Sequence, residues 1–144
     1  MKNLKSFKMF FMIMTSAGVL FSGYMSGVKI FSKVCAFGET CPLFLGMPAC
    51  YIGFILFLSL FLVSLLFILN KRNPIIISKK LFLISLLGVI YSLNFAIPEL
   101  PSLFKNGFNA YILGLPTCVM GSLFFIAIFI GALIFYKKTK SQII

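Results

Sequence analysis

The chain predicts an all-α membrane protein, a four-transmembrane-helix bundle built from two parallel two-helix repeats. Three observations carry that expectation. The 144 residues are 61% hydrophobic and 10% charged, with a mean hydropathy of +1.13. This lies outside the range of soluble domains, and the apolar runs are long enough to cross a bilayer. No stretch between the runs could bury a soluble core of its own, so residues 1–144 are expected to form a single integral membrane domain.

The second observation is where the charge sits. The net charge is +11, but ten of the thirteen basic residues fall into three clusters: Lys2, Lys5 and Lys8, then Lys71, Arg72, Lys79 and Lys80, then Lys137, Lys138 and Lys140. The intervening segments hold only Lys29, Lys33 and Lys105, together with the two acids Glu39 and Glu99. That alternation follows the positive-inside rule and predicts cytoplasmic termini and a cytoplasmic middle loop. Membrane lipid, anionic at the cytoplasmic face, accounts for the charge. Nucleic acid is not an expected partner, because no soluble basic surface is available.

The third observation is a duplicated motif. Gly46-Met47-Pro48-Ala49-Cys50-Tyr51-Ile52-Gly53 recurs 68 positions later as Gly114-Leu115-Pro116-Thr117-Cys118-Val119-Met120-Gly121. Upstream, Gly18-Val19-Leu20-Phe21-Ser22 matches Gly88-Val89-Ile90-Tyr91-Ser92 at an offset of 70. Repeat one is read as about 9–69 and repeat two as about 81–136. Both would enter and leave on the same side, related by a pseudo-twofold axis along the membrane normal.

The first span is expected from Met9 to Gly27. Its lysine-rich start resembles a signal peptide, but the length of the apolar run argues for a retained span. Gly18, Ser22 and Ser26, with Gly23 and Gly27, form stripes of small residues that let helices approach closely in lipid. An outer loop follows over about 28–44, with Cys35 and Cys41. The second span runs from near Pro48 to Leu69, bulky and nearly featureless. Asn70 to Lys80, containing Pro74, reads as a tight basic loop. The third span, Leu81 to about Ala96, is expected to stop at Pro98. Pro98, Pro101 and Asn106-Gly107 are turn signals for a second outer loop over 97–111. The fourth span runs from near Pro116 to Tyr136.

All four cysteines, Cys35, Cys41, Cys50 and Cys118, are thereby placed at or above the extracytoplasmic surface. An even number of thiols on the oxidising side fits a disulfide framework or a redox relay. Free cysteine as a small, tolerated membrane residue is the plainer alternative. Proline suits the first turn of a helix, so Pro48 and Pro116 mark helix starts and set Cys50 and Cys118 within the first turn. The positive helix end there favours the nucleophilic thiolate. Gly53 and Gly121, three residues on, offer room for a neighbouring helix or a flat ligand. No metal site is expected, since the chain has no histidine and only two carboxylates. Hydrolytic chemistry lacks its residues for the same reason.

The stretch from Cys35 to Phe57 resembles the bacterial vitamin K epoxide reductase-like family. Members carry a loop cysteine pair after the first span and then a Gly-x-Pro approach to the second, here Cys35 and Cys41 followed by Leu45-Gly46-Met47-Pro48 with Gly53. A more distant similarity is to the DsbB family of four-helix membrane proteins. Both pass electrons from extracytoplasmic thiols to quinone, which implies a bacterial cytoplasmic membrane, a quinone cofactor and a soluble thiol protein as partner. In both families a Cys-x-x-Cys pair lies near the quinone. This chain instead reads Cys118-Val119-Met120-Gly121 and Cys50-Tyr51-Ile52-Gly53. The resemblance thus implies a thiol–disulfide oxidoreductase in which Cys35 and Cys41 exchange with the partner. Cys50 and Cys118 would form the inner pair, with Gly53 and Gly121 beside the quinone. A non-catalytic subunit or scaffold of a membrane complex, with structural disulfides, is the alternative. A small parallel-repeat transporter is the third reading, drawn from the duplication and the polar Tyr91, Ser92 and Asn94.

Overall fold

A computed structural model of the chain describes residues 2–32, 43–44, 47–69, 73–106 and 117–143. Four helices make up the fold: α1 (Lys2–Ser32), α2 (Ala49–Ile68), α3 (Pro74–Asn106) and α4 (Thr117–Ile143). Each contains a stretch long and apolar enough to cross a membrane: Leu4–Val28, Tyr51–Ile68, Pro74–Pro98 and Val119–Gln142. The protein is a four-helix integral membrane protein, and helices are what lipid demands, because each satisfies its backbone internally. A two-residue antiparallel ladder, β1 (Leu43–Phe44) with β2 (Met47–Pro48), leads directly into α2.

Ring contacts set the helix directions. Phe57 of α2 stacks on Phe125 of α4, centroids 4.2 Å apart and planes at 16°, and Phe67 meets Phe135 at 5.1 Å. Both pairs ascend together, so α2 and α4 run parallel. α1 runs against both: its Gly18 faces Phe57 and its Gly23 faces Phe54, while Phe11 contacts Phe135 and Phe21 contacts Phe124. α3 opposes α4 through Gly88 on Phe125 and Phe82 on Phe129. The core is therefore an aromatic column between α2 and α4, closed by Leu60, Ile128, Leu81 and Ile77.

Burial recurs along the chain at fixed intervals. In α2 the buried positions are Phe57, Leu60, Ser64 and Phe67; in α4 the positions 68 further on, Phe125, Ile128, Ala132 and Phe135, are buried too. In α1, Phe11, Thr15, Gly18, Ser22 and Ser26 are buried, and 70 positions later so are Leu81, Ser85, Gly88, Ser92 and Ala96. Steps of three and four residues trace one face of each helix. The contact at the centre recurs too. A Cβ at Gly18 would overlap the Phe57 ring, and one at Gly88 would overlap the Phe125 ring.

The buried hydroxyls are satisfied within their own helices. Thr15 Oγ1 donates to Phe11 O at 2.6 Å, Ser22 Oγ to Gly18 O at 2.7 Å and Ser64 Oγ to Leu60 O at 2.9 Å. Such back-bonding lets a hydroxyl sit in an apolar core without an unpaired donor.

Several helix bounds depart from the sequence expectation. Pro74 does not turn a loop. It opens α3, its missing N–H harmless in a first turn, and Ile77 N donates to Asn73 O at 3.2 Å. The basic connection is accordingly shorter than Asn70 to Lys80. At the other end α3 passes through Pro98 and Pro101 to Asn106. Both prolines are exposed, and the apolar span ends at Pro98. The carbonyls of Asn94 and Ile97, denied a helical donor, thus lie where headgroups and water can serve them. α1 and α4 likewise extend past the expected spans at the ends that carry the lysine clusters.

Candidate functional site

Cys50 and Cys118 are each the second residue of a helix, α2 and α4. Because those helices are parallel, both cysteines belong to the same end of the bundle, beside the C-terminal ends of α1 and α3. Each also lies seven residues before a member of the stacked pair, Cys50 before Phe57 and Cys118 before Phe125. Seven residues is two helical turns less about 20°, a rise of roughly 10 Å. The two cysteine positions therefore lie about two turns before the aromatic pair along α2 and α4.

The glycines divide into two kinds. Gly18, Gly88 and Gly131 are sockets for the Phe57, Phe125 and Phe10 rings. At Gly53 and Gly121, one turn into α2 and α4, an added Cβ would have no heavy atom within 4 Å. Among the described residues nothing fills these two matching positions, room of the kind a flat ligand or a neighbouring segment needs. The small-residue stripe of α1 is split in the same way. Ser22 and Ser26 are buried and Gly18 is a socket, whereas Gly27 faces open space.

Cys35 and Cys41 lie outside the described residues, and with them the expected loop disulfide. Among the described residues, no three histidines, cysteines or acids converge as metal ligands. Tyr91, Ser92 and Asn94 differ in their surroundings. Ser92 is buried and donates to Val89 O at 3.1 Å, Asn94 is exposed and donates to Ile90 O at 3.0 Å, and Tyr91 packs on Phe95 with centroids 5.1 Å apart.

The opposite end is basic. Lys5, Lys79, Lys80, Lys137, Lys138 and Lys140 are exposed there. Lys8 Nζ sits 5.1 Å over the Phe67 ring and Lys138 Nζ 5.4 Å over the Phe7 ring, an arrangement in which aromatic faces hold the ammonium groups near the helix ends. Sequence reasoning did not single out the Phe57–Phe125 stack. Its signal was present, two phenylalanines at the same 68-residue offset as the cysteines, but nineteen phenylalanines in one chain hide any single pair. No protein-family model, no curated protein and no solved structure matches this chain.

Proposed function

We propose that the chain is a membrane thiol–disulfide oxidoreductase in which Cys50 and Cys118 act as one redox unit passing electrons to a membrane quinone. The observation that carries the reading is the matched placement of the two cysteine positions: second residues of parallel helices at one end of the bundle, each followed by a glycine with no described residue packed beside it. In the reaction the two thiols lose two electrons and two protons and become a disulfide, while the quinone gains both and becomes a quinol. Reduction of that disulfide by the loop pair Cys35 and Cys41, themselves reduced by a soluble dithiol protein, completes the cycle. Two repeats about a pseudo-twofold axis form the architectural part of the proposal, supported by the burial pattern at offsets of 70 and 68.

The purified, reduced protein mixed with a quinone should turn over a small dithiol. Cys50→Ser and Cys118→Ser should each lose quinone reduction as completely as the double variant, the non-additivity of residues that work as a unit. Cys35→Ser should keep part of the activity with the small dithiol. A folded wild-type protein that passes no electrons from dithiol to quinone would sink this reading. The Cys-x-x-Gly sequence at both sites favours the second reading, a non-catalytic scaffold within a membrane complex, for which the same substitutions change stability alone.

A further inference from the structure

A groove of about 380 Å³ opens along the seam between α1 and α4 at the basic end. Ala127 forms its floor beside Gly131, which the Phe10 ring covers; Phe10, Ile130 and Ile134 are its apolar walls, and Ser6 and Lys138 its polar end. Gly131 seats the Phe10 ring, which an added Cβ would overlap, and Ala127 contributes only a methyl group to the lining. The matching positions of the α2–α3 seam, 68 residues earlier, are Ser59 and Val63. From Ala127 to Lys138 the helix rises roughly 16 Å, close to the hydrocarbon depth of one leaflet, about 15 Å. Ile130 and Ile134 remain half-exposed, 50% and 44%, so the groove is open to the side.

Among the described residues no acid stands at its polar end. Lys138 is exposed and steered over the Phe7 ring. Lys5, Lys137 and Lys140 stand nearby in sequence, and neither α1 nor α4 contains an acid. A ligand matching this shape has one or two apolar tails as deep as a leaflet and an anionic head at its surface. We propose that the α1–α4 groove binds one anionic phospholipid from the leaflet that faces the chain termini. Its phosphate lies at Lys138 and Ser6, and an acyl chain lies along Phe10, Ile130 and Ile134. The proposal is independent of the redox reading.

The test is native mass spectrometry of the full chain in detergent, titrated with phosphatidylglycerol or with phosphatidylcholine. One saturable phosphatidylglycerol adduct should be retained roughly fivefold or more over phosphatidylcholine, the gain expected of one lysine at a headgroup. Lys138→Gln should bring the two lipids level. Lys79→Gln, an exposed lysine on α3 that does not line the groove, should leave the preference intact. Ala127→Leu, which fills the floor, should lower retention of both lipids. Soluble glycerol phosphate should not displace the lipid. Equal retention of the two lipids by the wild type would overturn the site, as would equal losses in Lys138→Gln and Lys79→Gln, since either describes a general lipid coat. Displacement by glycerol phosphate would also overturn it, in favour of a simple anion site.

Discussion

A glycine in a membrane helix is ambiguous by itself, since it can admit a neighbour or simply lack a reason to be larger. The neighbours resolve it here. Gly18 and Gly88 lie under the rings of Phe57 and Phe125, which are 2% exposed and stacked on each other, so neither ring can swing away. Gly18→Val is expected to destabilise the bundle by about 1–3 kcal/mol through overpacking, read from unfolding in mixed detergent. Phe57→Ala should cost less in the Gly18→Val background than alone, because the two changes share one contact. Gly53→Ala and Gly121→Ala should behave oppositely. With nothing within 4 Å of the new methyl, helix propensity alone predicts a gain of up to about 1 kcal/mol. A larger Gly53→Leu that folds normally yet loses quinone reduction would assign the open space to the ligand, whereas unchanged activity would remove Gly53 from the site.

At the level of elements, α3 is the helix whose length departs most from its sequence signals. Pro98 and Pro101 read as a stop, because proline withholds a donor and crowds the carbonyl four residues back. Both stay in the helix because they are exposed and the apolar span ends at Pro98, so the cost falls on carbonyls that water can reach. Pro98→Ala should therefore leave the fold intact and raise stability by up to about 3 kcal/mol. Thermal unfolding in detergent checks this, and a loss of stability would mean that the chain turns at that point. Pro74 has the opposite role at the other end of α3, where the residue expected in a loop opens the helix.

For the whole molecule, the decisive asymmetry is between a basic end, where both termini and the α2–α3 connection lie, and a cysteine end. The lysine distribution predicts that the basic end is cytoplasmic. In intact cells, a membrane-impermeant thiol reagent applied after reduction should label Cys35 or Cys41. Labelling that requires opening the membrane would invert the orientation and with it the side on which any soluble thiol partner acts. Parallel α2 and α4 give this topology its functional consequence: thiols separated by 68 residues of sequence sit at one end of one bundle.

Much of this was legible in the chain itself. Four apolar runs, lysines at alternate connections and a duplicated Gly-x-Pro-x-Cys fixed the class of protein, the number of spans and the positions of Cys50 and Cys118 in their helices, because each depends on local composition and on what lipid tolerates. The partnerships were decided only in three dimensions. Which phenylalanines stack, which glycines are sockets and which face open space, and how far α3 continues past its prolines all depend on residues from other helices or on the depth at which a carbonyl meets water. The same holds for Gly131: its role as the socket of Phe10 comes from the helix beside it, and a glycine in a sequence carries no record of its neighbours.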